Sequence, residues 1–311
     1  MSSLLSRFAE NIYWLGRYLE RAESLARILD INETYARENS SGPNWRRILE
    51  LNADTERFLK SHKKETPESV ADFYVLDLTN PTSIAFAVSA ARENARSVRH
   101  LISTEMWTQL NMFQYRMSQL TRRDTRLSNL ATVCNEVKVN CQAFEGIAEG
   151  TYLRSEAWSF YHLGKYLERA DQTTRILDMA YDQLTSGDGE ALISVQADVL
   201  LRSVSGYHAF RTRHSGGSTP RDIAKFLLYD EEFPRAVALC VEQVTARLRD
   251  LERRHGRKRS SAIETARREL EFSLETGLGD RITSSQLHSF IDKLQISLGK
   301  VSNAVYASYF N

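Results

Sequence analysis

Apolar residues recur along residues 4–38 with a helical period rather than a strand's alternation. At roughly 100° per residue, Ile12, Leu15, Leu19, Ala22, Ala26 and Leu29 fall on one stripe. Trp14, Tyr18, Leu25 and Ile28 fall on a second stripe, nearly opposite. Between them runs a charged strip of Arg17, Glu20, Arg21, Glu23 and Arg27. A helix that is apolar on two sides packs on two sides, so the strip is expected to be confined rather than bathed in water. One helical turn brings Glu20 to Arg17 and Glu23 to Arg27, whereas Arg21 has no acid three or four residues away. Its counter-charge must come from another helix or from a ligand, because a confined unpaired charge is costly.

The same periodicity predicts helices over residues 4–38 and 44–62, and a short one after Pro67. Asn80-Pro81 reads as an N-cap followed by a first-turn proline, opening a helix over 81–102. Helical pattern then runs through 104–149 without a strong breaker, and again over 151–184 and 190–212. Runs rich in Gly, Ser and Asn at 39–43, 186–189 and 214–220 read as breaks. Pro220 and Pro234 each stand where a helix can start, and Thr283 and Gln286 have capping-box spacing at the head of the last helix. No stretch alternates as a strand would.

The pattern also repeats. YWLGRYLERAESLARILD at 13–30 and YHLGKYLERADQTTRILD at 161–178 share twelve of eighteen residues at a spacing of 148. Phe73-Tyr-Val-Leu-Asp77 through Pro81 lines up with Phe226-Leu-Leu-Tyr-Asp230 through Pro234 at a spacing of 153. Two matches in one order indicate a duplicated half. The expected fold is therefore all-α: a multi-helix bundle of two related helical halves, residues 1–150 and 151–311, about a pseudo-twofold axis and packed as one compact unit. Gly16 and Gly164 occupy the same place in both copies, where each costs a helix about 1 kcal/mol relative to Ala. That cost points to a close helix crossing.

Composition narrows the function classes. Of 311 residues, 42% are apolar and 26% charged, with a formal charge of +1, which fits a globular chain and gives no global pull toward nucleic acid or an acidic partner. No apolar run approaches the ~18 residues of a membrane span, and Arg7 and Glu10 come too early for a signal peptide. Cys134, Cys141 and Cys240 are an odd, sparse set that suits a reducing cytosol, with Cys134 and Cys141 on one helix face as core thiols. No metal-ligand spacing, nucleophile elbow or dinucleotide fingerprint is present, so neither metal nor cofactor is expected. Arg253 to Arg259 is a basic run without interleaved aromatics, which reads as an exposed turn rather than a nucleic-acid surface. His208 and His214 precede the loop HSGGSTP, which is not a phosphate loop, and they read as structural.

The Glu-Arg pairs admit two readings. Glu20, Arg21, Glu168 and Arg169 can form a structural ion network. Alternatively, Arg17, Arg21, Lys165 and Arg169 hold a carboxylate or phosphate in guanidinium forks, with Glu20 and Glu168 orienting them or binding an amine. Arg92, Arg96 and Arg99 share a helix face, with Glu93 and Asn94 beside it. A solvated basic face is the plain reading, and Arg92 and Arg96 are second-tier ligand candidates. An enzyme using Glu20 or Glu168 as general acid/base would need a perturbed carboxyl facing a cavity. A pure interaction module would show an exposed apolar patch.

The stretch Leu4-Leu-Ser-Arg7 through Leu19-Glu20-Arg21-Ala-Glu resembles the opening of the bacterial alpha-E domain family, an all-helical domain with a Glu-Arg motif. The resemblance continues at Ala91-Arg-Glu-Asn-Ala-Arg96, at Leu163-Gly-Lys-Tyr-Leu-Glu-Arg-Ala170, at Leu201 to Tyr207, and at Phe226 to Arg235. Lys165 departs from the expected Gly-Arg, and Ala236 from the Ser that usually follows Phe-Pro-Arg. The resemblance implies a cytoplasmic, non-ATPase companion of circularly permuted ATP-grasp amidoligases and transglutaminase-like peptidases, in a setting of amide or peptide bond formation. It leaves room for a homo-oligomer and does not decide whether chemistry happens on this chain.

Overall fold

The computed structural model describes residues 4–38, 45–186, 190–214, 219–255, 261–275, 277 and 283–311. The predicted break at 39–43, residues 187–189 and 215–218 of the later breaks, and residues 256–259 of the basic run lie outside them. Every regular element among the described residues is helical, as the periodicity requires. They are α1 (Ser6–Glu38), α2 (Trp45–Leu51), α3 (Thr55–Ser61), α4 (Pro67–Val75), α5 (Ile84–Ser97), α6 (Thr104–Gln119) and α7 (Leu127–Thr151). There follow α8 (Glu156–Ser186), α9 (Glu190–Ser203), α10 (Tyr207–Arg213), α11 (Pro220–Tyr229), α12 (Val237–His255), α13 (Ser261–Glu275) and α14 (Ser284–Val305), with a π-helical last turn over Tyr306–Phe310. No helix among the described residues is long and apolar enough to cross a membrane.

Three helices expected to be continuous are divided. The helix expected over 44–62 splits into α2 and α3 at Ala53, whose φ of 53° is left-handed. There the Asp54 N–H donates to Leu49 O at 2.8 Å, closing the end of α2. The helix expected over 190–212 splits into α9 and α10 in the same way. Ser205 has φ 57°, and the Gly206 N–H donates to Leu201 O at 2.7 Å. Neither break carries a glycine at its left-handed residue, which is why spacing alone passes over it. The pattern over 104–149 divides into α6 and α7 at a turn in which the Asp124 carboxylate accepts from Thr121 N at 2.8 Å.

Among the described residues five helix starts carry side-chain caps, those of α4, α5, α6, α11 and α14. Thr66 and Thr219 each form a capping box, with Ser69 and Asp222, and each precedes a proline in the first turn. Thr283 and Gln286 form the expected box at α14. The start expected at Pro81 is corrected: α5 begins after Ser83, whose hydroxyl accepts from Phe86 N at 3.1 Å. Asn80 instead donates to Phe73 O at 3.1 Å and accepts from Thr82 N at 3.0 Å. Pro234 likewise starts no helix, since α12 opens at Val237.

By its contacts the chain divides into two compact units, Trp14–Leu153 and Met1–Tyr13 with Arg154–Asn311. In the first, α4 packs on α2, α5 and α7, and α6 packs on α5 and α7. Helix α7 also runs along α1: the buried Cys141 thiol lies 3.6 Å from Leu19 O, and Lys138 pairs with Asp30 at 2.7 Å. Cys134 and Cys141 are both buried free thiols, as their shared face predicts.

In the second unit α8 is the central rod, with α9, α11, α12 and α14 against it and α13 on α14. The first turns of α1 belong here. The Tyr13 hydroxyl shares a hydrogen bond with Ser302 Oγ at 2.9 Å, and its ring lies 5.3 Å from Phe310. Gly164 sits against the Tyr13 backbone so closely that a Cβ would overlap the Tyr13 carbonyl oxygen and stand 3.0 Å from its carbonyl carbon. The close crossing expected of Gly164 is present.

Candidate functional site

The charged strip of α1 is confined in part: Arg17 and Arg21 are half-buried, as are Trp14 and Tyr18 of the second apolar stripe. Glu20, Glu23 and Arg27 are all buried. Within the first unit Arg27 donates to Glu23 through Nε at 3.2 Å and Nη2 at 2.6 Å, and Gln142 Nε2 donates to the same carboxylate at 3.4 Å. Arg17 lies over Trp14 at 5.1 Å and Arg21 over Tyr18 at 5.7 Å, so both guanidiniums use aromatic faces on their own helix. Tyr18 in turn meets Phe86 of α5 at 6.1 Å. Also on α5, Glu93 joins the second-tier pair, accepting from Arg92 at 2.6 Å and from Arg96 at 2.7 Å. Arg92 also donates to Asn111 at 2.9 Å and, with Arg99, faces the Trp107 ring.

The matching strip of α8, in the second unit, keeps the same balance of three cations and two acids, Lys165, Glu168, Arg169, Asp171 and Arg175. Glu168 and Lys165 are buried, at 1% and 5% exposure, and Arg169 is half-buried. Gln172 Nε2 donates to Glu168 at 3.3 Å, and Arg175 pairs with Asp171 at 2.8 Å, the counterpart of Arg27 with Glu23. Arg169 donates to Pro234 O at 3.4 Å and lies over Tyr166 at 5.7 Å, with the Lys165 ammonium 4.8 Å from that ring.

One residue reports the local field. His162, one turn before Tyr166, is 3% exposed, with its ring centroid 3.8 Å from that of Trp158. Arg154 also lies against that indole, 3.4 Å from the Trp158 ring centroid. Burial first, and then the charges of Lys165, Arg247, Arg154 and Arg169, push the His162 imidazole down to about 2. Its ring is therefore neutral across the physiological range. Cations of α8, of α12 and of the segment before α8 thus all disfavour protonation of this buried ring. The buried Nε of Arg247 donates to no described residue.

The structure brings Lys165 and Arg169 into one field and links Arg92 to Arg96 through Glu93. It adds Arg154, His162 and Arg247, which the sequence reading did not select. Arg154 and His162 flank Trp158 at helical spacing, a signal available in the sequence. Arg247 carries none, because only the packing of α12 on α8 brings it near.

Residues 4–310 match the Alpha-E family, described as "A predicted alpha-helical domain with a conserved ER motif". Uncharacterized proteins of Mycobacterium bovis and Mycobacterium tuberculosis are similar at 22% identity over 265 residues, which is 79% of this chain and 30% of each relative. The chain thus spans less than a third of the length of the curated relatives it matches. No solved structure matches.

Proposed function

This chain belongs to the Alpha-E family, and from that premise we propose that it is the non-ATPase helical partner of an ATP-grasp amidoligase system. In this reading the basic field on α8 binds an anionic group, the carboxylate or phosphate of a peptide or small-molecule intermediate. Arg154, Lys165, Arg169 and Arg247 supply the positive field, and Glu168 orients its neighbours or receives the ligand's amine. Arg17 and Arg21 serve the first unit in the same manner, with Glu20 in the place of Glu168 and Arg92 and Arg96 beside them. An ATP-driven partner puts this work in the cytoplasm.

The observation that carries the reading is the burial of Lys165 beside half-buried Arg169 at the Tyr166 ring, with Arg154 over Trp158 about two turns earlier. Such a cluster gathers anions because guanidinium forks match carboxylate and phosphate geometry, and a partly desolvated site weakens screening. The reading also takes the two sequence copies as two related helical halves. Its support is local: left-handed Ala53 and Ser205, the Thr66 and Thr219 boxes, and Asp77 and Asp230, each accepting the N–H two residues on.

Calorimetric titration with inorganic phosphate, pyrophosphate and triglutamate tests the site. The native chain is expected to bind at least one of them, and Arg169→Met with Arg247→Met to weaken that affinity at least tenfold while helical content is kept. Equal affinity in the variant removes the site. For the partner, capture from native extract is expected to retain an ATP-grasp enzyme identifiable by peptide sequencing, whose ATP-dependent amide formation rises when this chain is added. An unchanged rate refutes the partner role.

A further inference from the structure

Two corners of the chain are built alike and differ at the residue before a stacked histidine. In the first unit His62 stacks on Phe58, with ring centroids 4.5 Å apart and planes 9° apart, and Phe58 meets Phe73 edge-on at 5.2 Å. In the second unit His214 stacks on Phe210 at 4.2 Å and 10°, and Phe210 meets Phe226 at 5.3 Å. Each corner follows a left-handed residue, Ala53 or Ser205. Each is closed by an aspartate: Asp77 Oδ1 accepts from Thr79 N at 2.8 Å, and Asp230 Oδ1 accepts from Glu232 N at 2.9 Å.

The residue before the stacked histidine sets them apart. In the second unit it is Arg213, whose guanidinium pairs with both Asp230 and Glu232. In the first it is Ser61, whose hydroxyl turns back to donate to Phe58 O at 3.2 Å and to meet His62 Nδ1 at 2.9 Å. Asp72 stands in the register of Lys225, five residues after the first-turn proline of α4 and α11, and the cation beside it is Arg122. Beside Ser61 lies an open cleft of about 420 Å³, lined by Ser61, His62, Asp72, Asp77, Leu78 and the exposed Arg122.

The two acids of this cleft are not equally occupied. Asp72 accepts from the Thr125 hydroxyl and pairs with the exposed Arg122 at 3.5 Å. Asp77 uses Oδ1 for the backbone and hydroxyl of Thr79, while its Oδ2 accepts from no described residue.

We propose that this cleft binds an alkylguanidinium, the side chain of an arginine, seated on Asp77 as Arg213 is seated on Asp230. The carboxylate supplies a charge-assisted hydrogen bond to the planar fork. The exposed Leu78 supplies apolar surface for the three-carbon stem. The volume falls in the range of sites that take amino-acid-sized ligands. This assignment is independent of the anion field on α8, which lies in the other unit.

Calorimetry on the full chain with N-acetyl-arginine amide, agmatine and N-acetyl-citrulline amide tests it. The two guanidinium compounds are expected to bind, and the citrulline compound, neutral and of equal shape, to bind at least tenfold more weakly. Affinity for the arginine amide above that for agmatine assigns the ligand to a peptide; the reverse assigns it to a free amine. Asp77→Asn is expected to lose at least tenfold for either. Because that change also touches the Thr79 turn, Ser61→Arg gives a second variant: it supplies a guanidinium internally and should abolish binding while raising the melting temperature. Citrulline binding equal to arginine, undiminished binding in Ser61→Arg, or no binding of either guanidinium compound overturns the proposal.

Discussion

Gly164→Ala puts the packing of α8 to a quantitative test. At an open helical position the change stabilises by about 1 kcal/mol, because Ala loses less backbone entropy on folding than Gly. Gly146 in α7 and Gly299 in α14 are such positions, with nothing within 4 Å of a built Cβ. At Gly164 the new methyl would overlap the Tyr13 carbonyl oxygen and lie 3.2 Å from Tyr13 Cδ2. A backbone carbonyl cannot rotate away as a side chain can, so the first turns of α1 must move off α8. Overpacking of this kind costs about 1–3 kcal/mol, and rigid backbone puts the cost at the upper end. The net effect is a loss of about 2 kcal/mol. Movement there also strains the Tyr13–Ser302 hydrogen bond and the contact with Phe310. Urea unfolding followed by helical circular dichroism measures all three variants. Gly146→Ala and Gly299→Ala should shift the midpoint up and Gly164→Ala should shift it down. A Gly164→Ala protein at least as stable as the parent refutes the close crossing.

Two further substitutions probe the charged strips. His162 is held down to about 2, first by burial and then by the surrounding cations, against an unfolded value of about 6.5. Its contribution is complete above the unfolded value. As pH falls below it, the unfolded chain takes up a proton the folded chain refuses, so stability drops by about 1.4 kcal/mol per unit, or about 2 kcal/mol at pH 5. His162→Phe should lose that much less stability between pH 7 and pH 5; parallel profiles for parent and variant contradict the burial of a neutral ring. On α1, Glu23 and Arg27 form a buried pair with side chains 7% exposed each. Glu23→Leu alone should destabilise more than Glu23→Leu with Arg27→Met, because the single change takes a carboxylate from a buried guanidinium and the double change removes both charges. A double variant no more stable than the single, measured by the same unfolding assay, refutes the pairing.

Local chemistry made much of this protein readable before its structure. The double apolar stripe of α1 foretold the burial of Glu20, Glu23 and Arg27, since a helix covered on two sides leaves its intervening strip little water. The Thr283 box and the first-turn Pro220 were legible because capping is a contact between near neighbours. Gly164 was legible through its cost, a helix-weakening residue kept at a matched place in both copies.

Other features needed the folded chain. Ala53 and Ser205 turn left-handed although neither residue type favours it, so their breaks are imposed by the packing around them. Asn80 looked like a cap and became instead a brace to Phe73, leaving the capping to Ser83. Arg247 is remote in sequence from Lys165 and Arg169 and joins their field only because α12 packs along α8. Periodicity and capping are short-range interactions and leave their mark on neighbouring residues, whereas the gathering of cations and the cleft beside Asp77 depend on which distant segments meet. The sequence alone determined that the chain is helical and where its charges are confined; only the tertiary structure decided which of those charges act together.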